Sequence, residues 1–268
     1  MMDQDNRLGI STRLLACLTA FMLLAPTLVV VPLSFTAKSS FKFPPDDWSI
    51  RFYRNLFSDP EWRNGLINSF QLAIVVMIVS VVIGTVAAIG LTRGRLRTAP
   101  LFNAVFLAPM IIPGIVFAVA IYDAFLETRM VGTFHGFVIA HTVVALPFPI
   151  ITITAGLRGI DRDLERAAAV QGANPLVAFA RITLPLLAPS MLAGAAFAFI
   201  TSFDEIVVSL FIQSTEFRTL PVKMFTSVST ESDPTIAAAA TIVITFSTLL
   251  ILVAQLMPSS PAKDRSHV

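Results

Sequence analysis

The most constraining feature of this sequence is a series of six long apolar runs, separated by short segments that carry most of the charge. A helix needs about 20 apolar residues to cross the hydrocarbon core of a bilayer, and a proline in such a run bends the helix without ending it. Hydrophobic residues make up 55% of the chain and charged residues only 13%. We therefore predict an all-α membrane protein with six transmembrane helices, at residues 14–35, 66–92, 101–122, 134–157, 184–212 and 236–257.

Basic residues in the connecting segments predict the orientation of these spans. The shortest loop contains Arg93, Arg95 and Arg97 without an acidic residue, which is typical of a cytoplasmic loop. Because the first apolar run exceeds the roughly 7–15 residues of a signal-peptide core, we interpret it as a retained span. Counting spans then places both termini in the cytoplasm, in agreement with the basic residues Arg7, Arg13, Lys263 and Arg265.

The composition and the absence of familiar motifs argue against several classes of function. The net charge of +2 is too small to indicate nucleic-acid binding. Cys17 is the sole cysteine, which excludes an internal disulfide, and we expect it to be a packing residue of the first span. The chain lacks the phosphate-binding G-x-x-x-x-G-K-[ST], the zinc-binding H-E-x-x-H and the nucleophile motif G-x-S-x-G. We predict no catalytic, cofactor-binding or metal-binding residues in this chain, so any ATP that its function requires must bind another polypeptide.

The segment WSIRFYRNLF, between the first and second spans, predicts a short amphipathic helix. Asp47 is a suitable N-cap for it. Its aromatic residues Trp48, Phe52 and Phe57 are expected to lie in the membrane interface, and we interpret the helix as an anchor rather than a binding site.

The connection between the fourth and fifth spans, residues 158–183, predicts a helical hairpin. Residues 161–171 favour a helix, and Gly172 stands where a helix ends with a residue at positive φ. Asn174 and Pro175 supply an N-cap and a first-turn proline, so a second helix restarts there and continues into the fifth span. Little side-chain bulk surrounds the turn, because its neighbours are Ala167, Ala168 and Ala173. On these grounds a docking hairpin and a solvated helical loop are equally open.

The stretch ERAAAVQGANPLVAFARITLPLLAP resembles the cytoplasmic signature loop of the permease subunits of binding-protein-dependent ABC importers. The pattern of that family is Glu-Ala-Ala, three residues, Gly, and a hydrophobic run ending in Leu-Pro. The chain departs from it at Arg166, where the family usually has Glu, with Glu165 one place earlier. The matching residues are Ala167, Ala168, Gly172, Ala173, Leu184, Pro185 and Pro189.

Further stretches resemble the spermidine/putrescine, or polyamine, branch of these permeases. They are NSFQLAIVV, LAPMIIPGIVFAVA, AHTVVALPF, FITSFDEIVVSLF and RTLPVKMF. The resemblance implies a type I ABC importer permease architecture in a bacterial inner membrane. It implies as partners a dimer of ATP-hydrolysing subunits, a second and non-identical permease, and a periplasmic solute-binding protein. It also implies that the ATPase contacts a coupling helix formed by Glu165, Arg166, Ala167, Ala168, Gly172, Ala173 and Asn174.

Asp204 and Glu205 are the main candidates for the substrate pathway. They fall in the outer half of the fifth predicted span, and charged groups at such depth usually face a bundle interior or an aqueous cavity. An ammonium-bearing solute suits such a place, whereas the alternative is that an acid pairs with a helix end or a polar neighbour. His141, in the fourth span, is a further pathway candidate, with a structural hydrogen bond as its alternative.

Prolines and glycines predict the shapes of several spans. Kinks are expected in the third and fourth spans, at Pro109, Pro113, Pro147 and Pro149. Close helix approach is expected at Gly84, Gly90 and Gly114.

Together these features predict three regions and one function. Residues 1–63 form an N-terminal tail, the first span and the first periplasmic loop; residues 64–258 form a permease core with five spans; and residues 259–268 form a cytoplasmic tail. We expect the permease subunit of an ATP-driven importer of a small cationic solute. The alternative is a gradient-driven secondary transporter, for which kinked helices and intramembrane acids would also serve.

Overall fold

The computed structural model of the chain describes residues 10–39, 41–94, 98–230 and 233–256. Within these ranges the chain is helical and forms no strand, apart from an isolated bridge between Thr36 and Trp48. Arg7, Arg95, Arg97 and the predicted tail at residues 259–268 lie outside the described residues. The helices are α1 Ile10–Ser34, α2 Arg51–Ser58, α3 Pro60–Arg93, α4 Ala99–Leu107, α5 Gly114–Thr128, α6 Phe134–Ala145, α7 Pro147–Gly159, α8 Asp163–Val170, α9 Pro175–Ala178, α10 Leu184–Phe203, α11 Val207–Ile212, α12 Leu220–Thr230 and α13 Thr235–Leu256.

Four stretches of helix in the described residues are long and apolar enough to cross a membrane, and six result if two bent helix pairs each count as one span. The first pair, Ala99–Met110 and Gly114–Thr128, bends by 99°, and the second, α6 with α7, bends by 45°. These two pairs fall where the third and fourth spans were predicted. The expected proline kinks are confirmed, because Pro113 immediately precedes α5 and Pro147 is the first residue of α7.

The chain divides into two compact units, Met1–Arg63 with Met224–Phe246, and Asn64–Lys223 with Ser247–Val268. In the first unit, α2 buries Phe52 and Leu56, while Asn55 Nδ2 donates to Thr235 Oγ1 at 2.8 Å. Two expectations for this segment were wrong. Asp47 does not cap α2, which begins after Ile50 without a side-chain cap, and Phe52 faces inward while Trp48 and Phe57 are exposed.

Cys17 also departs from expectation, because it is exposed on α1 and is not packed inside this chain. The described part of α1 places other large apolar side chains on the surface as well, including Leu14, Phe21 and Leu23. An apolar helix that exposes its large side chains over most of its described length requires lipid or another chain around that part.

In the second unit, the apolar core gathers residues from α3, α5, α6, α10 and α11: Leu72, Val76, Ala118, Phe125, Phe137, Ala140, Ala145, Ala198, Val208 and Ile212. Close approach at Gly84 is confirmed, because a Cβ there would lie 2.8 Å from Cβ of Pro149. Within this chain it is wrong for Gly90, where an added Cβ would meet no neighbouring atom within 4 Å, and a Cβ added at Gly114 would meet its nearest neighbour at 3.9 Å. Gly194 is a close contact that was not predicted, since its Cβ would lie 2.9 Å from Cα of Pro149.

Candidate functional site

The predicted hairpin is present, and its turn is closed by backbone hydrogen bonds. Gly172 has φ +88°, Gly172 N donates to the Ala169 carbonyl at 3.0 Å, and Ala173 N donates to the Ala168 carbonyl at 3.0 Å. This pair of bonds around a left-handed glycine is the Schellman ending of a helix. Asn174 then caps α9 by accepting from Val177 N at 2.8 Å, with Pro175 in the first turn. The local prediction of helix, glycine turn and helix is therefore confirmed.

The second arm of the hairpin is continuous with the fifth span. α9 passes through a π-helical segment, Phe179–Thr183, directly into α10, so that Pro175–Phe203 forms one stretch of 29 residues. No loop separates the hairpin from α10, so the second arm and the span form one continuous helical stretch.

The hairpin exposes apolar side chains on both sides of its turn. Val170 precedes the turn and is 88% exposed, and Leu176 follows it and is 79% exposed. A protein that docked on the small-residue turn would cover both of these side chains. Sequence reasoning noted the small residues and missed these two, although they are the large apolar side chains on either side of a turn otherwise built of small and polar residues.

The two charged residues at the start of the hairpin point to different partners. Glu165 accepts hydrogen bonds from Arg93 Nη1, at the end of α3, and from Thr183 Oγ1, before α10. Arg166 Nη1 instead donates to Asp163 Oδ1 at 2.7 Å on the exposed side of α8. Partial burial raises the pKa of Glu165, but the hydrogen bonds from Arg93 and Thr183 and the nearby positive charges outweigh it and hold this pKa below its ordinary value.

The predicted acidic pair lies at a break between helices. α10 ends at Phe203 and α11 begins at Val207, so the expectation of an unbroken span over residues 184–212 was wrong. Glu205 accounts for the break, because its carboxylate accepts from Val208 N at 2.9 Å and from Ser209 N at 3.0 Å. It thereby satisfies free N–H groups in the first turn of α11.

Glu205 belongs to a buried polar cluster that also contains His141. The Nδ1 atom of His141 lies 3.1 Å from Ser202 Oγ, and its Nε2 atom lies 3.0 Å from Ser209 Oγ and 3.8 Å from a carboxylate oxygen of Glu205. His141 is only 1% exposed. The structure thus brings two of the three pathway candidates together, along with two serines that sequence reasoning did not identify.

Asp204 has a different environment from its neighbour. It is exposed, and within the described residues its carboxylate accepts no hydrogen bond and forms no ion pair. Its backbone N–H donates to the Ile200 carbonyl at 2.9 Å, which makes Asp204 the residue that closes the C-terminus of α10. Of the two acids, Asp204 is the one whose carboxylate is open to a ligand.

Comparison with known proteins gives a consistent family match. The family model described as "Binding-protein-dependent transport system inner membrane component" matches residues 80–259. The spermidine/putrescine transport system permease protein PotC of Haemophilus influenzae is 29% identical over 87% of this chain and 90% of its own. The putrescine transport system permease protein PotI of Escherichia coli is 30% identical over 87% and 85%, and the trehalose transport system permease protein SugB of Mycobacterium tuberculosis is 29% identical over 82% and 83%.

Two solved structures share the fold. One is a bacterial ABC transporter involved in the import of the acidic polysaccharide alginate, with a TM-score of 0.72 and 13% identity over 92% of this chain and 94% of its own. The other is an amino acid ABC transporter, with a TM-score of 0.56 and 21% identity over 76% and 97%. These likenesses confirm the predicted fold class.

Proposed function

Since the chain belongs to the family of binding-protein-dependent transport system inner membrane components, we propose that it is the permease subunit of an ATP-driven importer for a small cationic solute of the polyamine class. Membership in this family supports an importer over the alternative of a gradient-driven carrier. The exposed hairpin also supports an importer, because a carrier that works without a partner ATPase has no need of a docking element.

Sequence identity alone does not select the solute. The PotC relative, named for spermidine and putrescine, and the SugB relative, named for trehalose, are both 29% identical to this chain. A polyamine carries several positive charges, whereas trehalose is a neutral disaccharide. The solute class therefore has to be argued from the charge that the chain presents.

The open carboxylate of Asp204 is the observation that supports a cationic solute. Asp204 closes the C-terminus of α10, where the helix dipole already places partial negative charge. An acidic residue at this end of a helix is unfavourable unless a cation meets it. Broken helices whose C-terminal ends face a cation also recur in transporters. We therefore assign solute contact to Asp204, and a capping role to Glu205, with His141 supporting it.

We assign the ATPase contact to the exposed part of the hairpin. This surface consists of Val170 and Leu176 together with Arg166, Ala167, Ala168, Gly172, Ala173 and Asn174. The proposal places the hairpin in the cytoplasm and ATP on the partner ATPase dimer. It further includes a second, non-identical permease, a periplasmic solute-binding protein and cytoplasmic termini in a bacterial inner membrane.

The test is uptake by the complete complex reconstituted in liposomes with its ATPase, partner permease and binding protein. The wild-type complex should take up labelled spermidine or putrescine and not labelled trehalose. Asp204→Asn should lower polyamine uptake at least several-fold, because a neutral amide replaces the ammonium group's lost hydration less well than a carboxylate does. Asp123→Asn is the matched control, since Asp123 is an exposed acid near the end of α5.

Two outcomes would contradict this proposal. Uptake of trehalose without uptake of polyamines would refute the solute class. Wild-type polyamine uptake by the Asp204→Asn complex would remove Asp204 from the pathway.

A further inference from the structure

Three elements that are distant in sequence meet at the side chain of Glu165. Arg93 is the last residue of α3 and lies 72 positions before Glu165, while Thr183 lies 18 positions after it and directly precedes α10. The hydroxyl of Thr183 and the guanidinium of Arg93 donate to the same oxygen of Glu165. One carboxylate thus joins the first arm of the hairpin to the ends of two long apolar helices.

A second hydrogen bond reinforces the junction with α3. Arg162, immediately before α8, donates from Nη2 to the Thr92 carbonyl at 2.6 Å. That carbonyl belongs to the last turn of α3, where backbone acceptors have no partner within the helix. The start of the hairpin is therefore attached to the end of α3 at two neighbouring points.

These polar contacts matter because apolar packing does not hold α8 in place. None of the residues of α8 is buried, so the helix has no apolar core of its own. The Arg93 and Glu165 side chains are only 17% and 24% exposed, whereas those of the Arg166–Asp163 pair are 75% and 72% exposed. A partly shielded ion pair is screened less by solvent and salt than an exposed pair on the same helix.

Resting on the proposed function, we propose that Glu165 is a positioning residue that ties the hairpin to α3 and α10, so that displacement of the hairpin by the ATPase moves both helices together. The covalent continuation through α9 already links the hairpin to α10, and the carboxylate adds the link to α3. Adjacent residues on a helix project about 100° apart. An acid at position 165 therefore faces inward while Arg166 faces outward, and the inner acid serves as an internal tie rather than as part of the docking surface.

The experiment compares three variants in the complete reconstituted complex: Glu165→Gln, Asp163→Asn and the charge reversal Arg93→Glu with Glu165→Arg. Three quantities are measured, which are co-purification with the ATPase, ATP hydrolysis and solute uptake. Glu165→Gln should leave assembly and ATP hydrolysis in place and lower the uptake per ATP hydrolysed at least several-fold. Asp163→Asn breaks the exposed pair of the same helix and should leave that ratio unchanged. The charge reversal should recover part of the uptake that Glu165→Gln loses.

Amide hydrogen exchange of the same complexes gives a measurement that needs no solute. Glu165→Gln should speed exchange in α8 and in the last turn of α3, and Asp163→Asn should not. If the wild-type complex imports no polyamine, the proposed solute is refuted. The exchange data would still show whether Glu165 holds α8 against α3.

Three results would overturn the tie. The first is an unchanged ratio of uptake to hydrolysis in Glu165→Gln. The second is loss of ATPase co-purification or hydrolysis in parallel with uptake, which would make Glu165 a docking or folding contact. The third is absence of any recovery in the charge reversal, which would show that Arg93 and Glu165 do not act as a pair.

Discussion

Gly172 allows the geometry of the hairpin turn to be tested by single substitutions. Its φ of +88° is a backbone conformation that side chains with a Cβ disfavour, yet a Cβ added there would meet no atom within 4 Å. Alanine therefore fits the available space and is opposed only by the backbone. That cost is about 1–2 kcal/mol, which reduces the population of the native turn roughly 5–30-fold relative to competing conformations. Gly172→Ala should weaken association of the ATPase with the permease pair by a factor in this range.

Two further substitutions separate the backbone from side-chain bulk. Asparagine tolerates positive φ better than other residues with a Cβ, so Gly172→Asn should lose less affinity than Gly172→Ala if the backbone dominates. Gly172→Leu combines both penalties and should lose the most. Gly90→Ala is the control, because a Cβ added at Gly90 would also meet no atom within 4 Å. Gly90 lies inside α3, where alanine favours the helix by about 0.5–1 kcal/mol. Association is measured as the apparent dissociation constant of the ATPase at equal permease expression. Wild-type affinity in both the alanine and the leucine variants would refute the reasoning.

Two more predictions concern packing and pH. Gly194→Ala should lower the denaturation midpoint of the detergent-solubilised protein, because the new Cβ would lie 2.9 Å from Cα of Pro149. Overpacking of this kind costs about 1–3 kcal/mol. An unchanged midpoint would mean that α7 and α10 move apart without loss of stability. The pKa of Glu165 in the folded protein lies below the ordinary value of 4.5. The ionised carboxylate therefore stabilises the hairpin fully above pH 4.5, and this stabilisation is lost as the pH falls through the folded-state pKa. Hydrogen-exchange protection of α8 should therefore decline below pH 4.5 in the wild type and show no such dependence in Glu165→Gln.

The hairpin could be predicted in detail because its signals are local. Gly172 ends one helix, and Asn174 with Pro175 starts the next, within four residues of chain. By contrast, the contact between Arg93 and Glu165 spans 72 positions, and no periodicity or motif in the sequence indicates which basic residue Glu165 will meet. In the sequence, Arg93 indicates only the orientation of the neighbouring spans, because it is one of several positive charges in a short loop.

The break at Asp204 was missed for a related reason. The run at residues 184–212 is apolar on both sides of the acidic pair. A hydropathy value averaged over a long window is lowered only a little by two charged residues, so the run looks continuous. The break depends on Glu205 bonding to backbone N–H groups that an unbroken helix would have used internally. It is further supported by His141, which lies 61 and 68 positions from its two serine partners. Only the short-range part of this arrangement is visible in the sequence.

The two candidate sites use adjacent charged residues in the same way. At the hairpin, Glu165 is occupied by contacts within the chain, while its neighbour Arg166 lies on the exposed face. At the helix break, Glu205 is occupied by Ser209 and Val208, while its neighbour Asp204 is open. Because successive side chains project in different directions, one member of each pair can hold the backbone in place while the other is presented to a ligand or partner. Replacing an inner residue should therefore disturb the geometry of the chain for every solute, whereas replacing Asp204 should change the preference between cationic and neutral solutes, a difference that uptake assays with both solute types can measure.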